Sequence, residues 1–388
     1  MAEGLTTDGL ARLHDAAARH VGDDRIPGLV ALVARGDQVH VEALGTLAVG
    51  GAPVVRDSVF RIASTTKPIT AAAILTLVED GLIELDEPVD RLLPELAGRR
   101  VLRRGDGPLD DTVPAVRPVT ARDLLTFTFG FGMTADMWTA PEPWPVAREA
   151  DALGLATLGP PRPDIQPGPD AWMAGLGSLP LLAQPGERWL YNTGASVLGV
   201  LAARAAGQPF AEVLRTRVFE PLGMRDTAFF AADPGRLATC YQAGPDGLAV
   251  WDPPDGAWSQ PPAFGDGAAG LVSTVDDLLA FARMLLRGGG PVLSAASVLA
   301  MTTDQLTPGQ KERGGFGPEF FADRSWGFCQ QVLAGGGYGW DGGLGTSWVV
   351  DPGDDLVVIV LTQRTFDGGD MPRAHQDIRA AARAALGG

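Results

Sequence analysis

The chain has 388 residues, 45% of them hydrophobic and 20% charged, with a net charge of −16. That is material for one large domain or two interlocked ones. The acidity argues against nucleic acid and anionic membranes as partners, and no apolar stretch reaches spanning length.

The first 24 residues are polar and charged, with no apolar run of signal-peptide type, so a cytoplasmic protein is expected. Residues 6–21 have helical spacing of Leu, Ala and Val. PGLVALVARGDQVHVEALGTLAV then reads as two β-rich runs around a Gly-Asp turn. Ser64 precedes a helix running to about Glu79, with Pro68 in its first turn and Gly81 as its stop signal. TARDLL, at 120–125, opens with a capping-box pattern, Thr120 to Asp123. Residues 139–190 are rich in Pro, Gly and Trp and read as a long ordered excursion. Two helices follow, at about 193–206 and 209–219, and a capped one at 273–289 with Thr274 and Asp277 as its box. Strands return at 345–351 and 356–364, and an Ala-rich helix closes the chain. Cys240 and Cys329 are isolated and read as small core residues, not a disulfide.

Strands at both ends and helices between them predict an α/β fold of the α+β type. One antiparallel sheet is flanked by the N- and C-terminal helices and interrupted by a mostly helical insertion. The expected division is 1–62 with 268–388 for the sheet domain and 63–267 for the insertion, the active site lying between them.

Chemistry is restricted by what is missing. None of the four histidines, His14, His20, His40 and His375, sits in a Gly-bounded loop after a strand, and there is no G-x-S-x-G elbow. No His or Cys pair has metal-ligand spacing, and no Gly-rich phosphate loop opens a helix after a strand. No metal and no cofactor are therefore expected. What remains is Ser64-Thr65-Thr66-Lys67. Of 31 basic residues only Lys67 and Lys311 are lysines. Arg cannot surrender a proton near neutral pH, so a retained lysine is a candidate for acid–base work. The i, i+3 spacing places Ser64 and Lys67 on one helix face, where the helix N-terminus is expected to lower the lysine pKa. At a helix mouth, Lys67 is also expected to have room for an arginine. With ten serines and two lysines, S-x-x-K arises by chance in roughly 5% of such chains, so a solvated helix residue stays open as the alternative. Tyr191, before the helix at 193, is either an amphipathic entrance residue or a proton shuttle whose phenol ionises more easily beside an ammonium.

Six blocks carry a more specific signal: FRIASTTKPITAAAILTLVEDGLIELDEPV, TARDLLTFTFGFG, PGERWLYNTGASVLG, VFEPLGMRDT, AAGLVSTVDDLLAFARMLL and YGWDGGLGTSWVVDP. In this order they resemble the serine β-lactamase-like/penicillin-binding-protein superfamily, over roughly residues 8–385, close to class C β-lactamases and family VIII carboxylesterases. The resemblance implies a β-lactamase/transpeptidase-like fold. It implies Ser64 as nucleophile, Lys67 as its base partner, and Tyr191, of the Y-x-N motif, as proton shuttle. It places the oxyanion N–H groups at Ser64 and Gly343. It aligns Trp340-Asp341-Gly342 with the substrate-binding third motif and Thr193 with the amide of Y-x-N.

Two departures bear on substrate. Thr193 is not Asn, and Trp340 replaces the cation that pairs with a β-lactam carboxylate, an interaction worth ~1.5–3 kcal/mol. Asp341 is expected to add a negative charge there. Phe127 and Phe129 replace polar residues common in relatives. The first reading is a carboxylesterase acting on a small-molecule ester through an acyl-enzyme. An acyltransferase or small-amide hydrolase, using an acyl donor or amide, is the alternative. A β-lactamase or DD-peptidase ranks lower, and an inactive binding module last. The pocket walls are expected from 127–190 and 240–266. Oligomeric state is not encoded in the motifs.

Overall fold

The computed structural model describes residues 4–317 and 319–387. A seven-stranded antiparallel sheet forms its centre. The N-terminal hairpin supplies β1 (Gly28–Arg35) and β2 (Gln38–Gly45). The C-terminal part supplies β3 (Arg324–Trp326), β4 (Gln331–Leu333), β5 (Tyr338–Gly342), β6 (Thr346–Asp351) and β7 (Leu356–Thr362). The order across the sheet is β2-β1-β7-β6-β5-β4-β3. The expected sheet from both chain ends is therefore present, joined where β1 pairs with β7, from Leu29↔Thr362 to Arg35↔Leu356.

Five helices position the site: α1 (Thr7–Ala18), α2 (Thr66–Glu79), α3 (Thr193–Ala206), α4 (Val275–Leu286) and α5 (Arg373–Ala384). β1 and β7 read as unbroken apolar runs because both sheet faces are covered. Alternation sends Leu29, Ala31, Val33, Val358 and Val360 to the α1/α5 face. Val30, Leu32, Ile359 and Leu361 point to the opposite face and join the main core with α2, α3 and α4. α5 buries Ala374, Ile378 and Ala382, four residues apart, along one stripe. α2 is buried from Thr66 to Leu77, as expected of a helix that is apolar on every side.

The Thr120–Asp123 capping box forms in both directions. The expected box at α4 is only half made. Thr274 accepts the Asp277 N–H, but the Asp277 carboxylate turns away to the Asp226 N–H (2.8 Å) and the Thr227 hydroxyl (2.7 Å). That carboxylate ties an incoming segment to the helix instead of capping it.

Ser64 lies in a single 3₁₀ turn, Ala63–Thr65, that runs directly into α2. The turn is gripped on both sides. The Ile62 N–H donates to Leu271 O (3.0 Å), and Ile62 O accepts from Thr346 Oγ1 (2.9 Å). Ala63 is held at φ +43°, a left-handed conformation that costs an L-residue roughly 1–2 kcal/mol. β5 ends against this turn. A Cβ on Gly342 would lie 2.3 Å from both Ile62 O and Thr346 Oγ1, so only glycine allows the strand so close.

Gly342→Ala is expected to push β5 off the serine turn. Stability should fall by about 1–3 kcal/mol and activity by more than that loss of fold explains. Urea melts and assays on the folded fraction check this; wild-type activity in G342A would show that the close approach is dispensable.

Candidate active site

Lys67 begins the site. It is fully buried, and its Nζ lies 2.8 Å from Ser64 Oγ and 2.7 Å from the carbonyl of Ala268. Burial drives the amine from its ordinary value to about 7, with Asp266 pulling the other way. The cause is desolvation, not the helix end that the sequence suggested. An amine in this state donates to Ala268 O and, when neutral, accepts from the Ser64 hydroxyl.

Tyr191 packs its ring 4.6 Å from Lys67 Nζ. Its Oη accepts a hydrogen bond from Trp340 Nε1 at 2.8 Å. Ser64 is its other side-chain partner, and both contacts favour the ionised phenol. Burial raises the Tyr191 phenol well above its ordinary value. The expectation that a neighbouring ammonium would ease its ionisation is therefore overturned. Desolvation acts on both groups and favours the neutral form of each.

Backbone N–H groups complete the geometry. Ser64 is the second residue of its 3₁₀ turn, so its N–H has no partner within the turn. Gly343 follows the last residue of β5, beyond the strand's paired register, and lines the same cleft as Ser64. The cleft encloses about 930 Å³. Asp266, Glu319, Asp341 and Asp370 line it with Arg324, the one cation among its described lining residues. Arg324 is itself paired with Asp323 (2.9 Å).

A sequence profile described as Beta-lactamase matches residues 13–383. The chain belongs to the β-lactamase family. It is 34% identical to esterase EstB of Burkholderia gladioli over 93% of this chain and 92% of that one. Lovastatin esterase of Penicillium rubens is 28% identical, over 84% and 85%. The solved structure of EstCE1, a hydrolase with promiscuous acyltransferase activity, superposes with a TM-score of 0.79 at 26% identity, covering 97% and 98%. The mixed fold with its antiparallel sheet is that of this family, and the chain is an enzyme of serine hydrolase and acyl-transfer type.

Against this family pattern, the geometry brings Ser64, Lys67, Tyr191, Trp340 and Gly343 together and leaves three expected residues aside. Thr193 is fully buried, and its hydroxyl is bonded to Thr157 Oγ1 (3.0 Å), away from the cleft wall. Gly342 is a packing glycine that lets β5 approach the serine turn. Asp341 borders the cleft but is paired with Arg379 of α5 (2.5 Å), so it adds no uncompensated negative charge. Trp340 lines the cleft with its ring, while its N–H is committed to Tyr191 and is not offered to substrate. Phe127 and Phe129 are core residues, both fully buried; Phe127 packs edge-on against Tyr191. His375 is buried on α5 with its pKa lowered to about 4 by burial, and its Nε2 lies 3.1 Å from Gly345 O. Cys240 and Cys329 are both buried free thiols. Among the described residues no cluster of three or more His, Cys, Asp or Glu could hold a metal ion, and no single helix is long and apolar enough to cross a membrane.

Three contributors escaped the sequence reading. Asp266 fell inside the expected 240–266 wall but was not singled out. Residues 316, 317, 319, 320 and 324, and the segment 365–371, line the cleft beside members of the expected 127–190 and 240–266. Phe316 stacks on the exposed Trp138 at 4.6 Å, so the wall meets the short helix Ala135–Thr139 at this ring pair. An aromatic excess near 316–326 was the available signal.

Complete burial also removes the room expected for arginine at 67. Lys67→Arg should lower stability by about 1–3 kcal/mol through overpacking, whereas the unbranched methionine fits. The sign of the pH effect follows from the lowered lysine pKa. Between about pH 7 and pH 10.5 the unfolded chain holds the proton and the folded one does not. The amine therefore costs stability fully below pH 7 and progressively less above it. Relative to wild type, Lys67→Met should gain stability as pH falls from 10 to 7. Urea melts across that range check it, and parallel profiles would contradict the burial argument.

Proposed function

We propose that the protein is a carboxylesterase of the family VIII type, acting on neutral, largely apolar small-molecule esters through an acyl-enzyme on Ser64. The observation that carries the reading is the fully buried Lys67 amine, 2.8 Å from Ser64 Oγ and with a pKa brought to about 7. Neutral Lys67 takes the Ser64 proton as Oγ attacks the ester carbonyl. The N–H groups of Ser64 and Gly343 receive the oxyanion. On collapse the C–O bond to the alcohol breaks. Tyr191 gives its hydroxyl proton to the leaving alkoxide and regains one from the Lys67 ammonium. Water then attacks the acyl-enzyme with the same base, releasing the acid and restoring Ser64. The cleft lies between the sheet unit (1–62 and 268–388, of which 1–3, 318 and 388 lie outside the described residues) and the helical unit (63–267).

The choice of ester over β-lactam rests on charge. An indole stands at 340, and the acids lining the cleft outnumber its single, already paired arginine. A substrate carboxylate would be desolvated there without a partner. Acyl transfer to an alcohol is the second reading, supported by the likeness to EstCE1, whose description includes acyltransferase activity. It differs only in the nucleophile that resolves the acyl-enzyme.

Intact-protein mass spectrometry with p-nitrophenyl esters, small amides and penicillins tests the proposal. Short-chain esters should add one acyl mass, absent in Ser64→Ala, and turn over; penicillins should react weakly or not at all. A penicillin kcat/KM above that for simple esters would restore the β-lactamase reading. Added alcohols should partition the acyl-enzyme measurably if transfer is the natural outcome.

Lys67 must be neutral to act, so protonation below its pKa switches the enzyme off. The kcat/KM for an uncharged ester should rise tenfold per pH unit below about pH 7 and level off above it. A flat profile from pH 5 to 9 would remove lysine basicity from the mechanism.

A further inference from the structure

The turn Asp266-Gly267-Ala268 joins two helices and one amine. Asp266 is 2% exposed; its Oδ1 accepts from the Ser196 hydroxyl of α3 (2.7 Å) and from the Ala268 N–H (2.9 Å). Thr70 of α2 donates its hydroxyl to Gly267 O (2.7 Å). A Cβ on Gly267 would lie 2.5 Å from Ala195 O, so the turn is wedged tightly against α3. Thus held, Ala268 turns its carbonyl to Lys67 Nζ. The residue in the amide position of Y-x-N, Thr193, is bonded to Thr157 and takes no part.

The groups around the amine are few. They are the Ser64 hydroxyl, the Tyr191 ring, the Cys329 thiol, kept neutral by burial, and the Asp266 carboxylate. Only the last supplies a negative charge. Burial alone would leave Lys67 a weakly basic amine. A fixed negative charge restores part of that basicity, and the hydrogen-bonded turn fixes where the amine points.

We propose that Asp266 is a positioning residue for Lys67, setting both the basicity and the aim of the amine that faces Ser64. This rests on the reading of Lys67 as the base. Asp266 stays one step from the reacting atoms and acts through the lysine.

The chain's two lysines make the test direct. Labelling with ¹³Cε-lysine gives two resonances, Lys67 and Lys311, and Lys67→Met identifies the first. In wild type the Lys67 midpoint is expected near 7. In Asp266→Asn, which keeps the shape and loses the charge, it should fall by about one unit. The acid limb of kcat/KM should move down with it. Ser196→Ala, which keeps the charge, should leave the midpoint in place. A midpoint unmoved by Asp266→Asn would overturn the proposal. A midpoint that moves while the activity limb stays put would uphold Asp266 as the partner of Lys67 and refute Lys67 as the base. Should Asp266→Asn not fold, the smaller Asp266→Ser is read the same way. Failure of both to fold, with Ser196→Ala intact, would assign Asp266 to the scaffold and overturn the proposal.

Discussion

Lys67 sits at the junction of α2, the 266–268 turn and the segment that carries Tyr191, with no surface in contact with water. Taking an amine out of water is expensive when it is charged and cheap when it is neutral. Most features of the site follow from that one asymmetry. The amine is brought within reach of neutral pH. The phenol beside it, buried by the same walls, is pushed in the opposite direction and keeps its proton. An amine that water would keep charged to high pH becomes an acceptor, while the phenol remains a donor.

The indole at 340 belongs to the same arrangement. Its N–H occupies the Tyr191 oxygen, which determines where the phenol proton points. A cation at this position would instead face the cleft and an incoming carboxylate. The substitution therefore acts on proton traffic as well as on substrate charge, because a single ring contributes to both. Asp341, next along β5 at the cleft border, is held by Arg379 of α5, which neutralises it. Alternation along a strand separates these two neighbours chemically.

What was legible in the sequence had strong periodicity or rare chemistry. The apolar runs of β1 and β7, the capped helices and the lone S-x-x-K lysine all declared themselves. β3 and β4 did not, because three-residue strands carry too little alternation to register. Asp266 was invisible because its importance comes from tertiary placement: an aspartate between two glycines reads as a turn until its neighbours are known. The direction of the lysine shift was right and its origin wrong, since a sequence shows a helix end but not how completely a side chain is enclosed. Thr193 and Gly342 were assigned to the cleft by motif position. In the fold, Thr193 is bonded to Thr157 and Gly342 packs under the serine turn.

The strand order has a consequence for how the chain comes to exist. β1 is followed directly in sequence by its partner β2, but its other edge belongs to β7, whose residues in the ladder run from 356 to 362. Without β7, that edge is a row of open hydrogen-bonding groups on a strand that is apolar up to Arg35. Such an edge is a template for wrong pairing as well as right. The strand latest in sequence within this sheet is thus inserted into its middle, not added at its margin. A chain ending at residue 355 would lose β7 and α5 together, and with them the strand that pairs with β1.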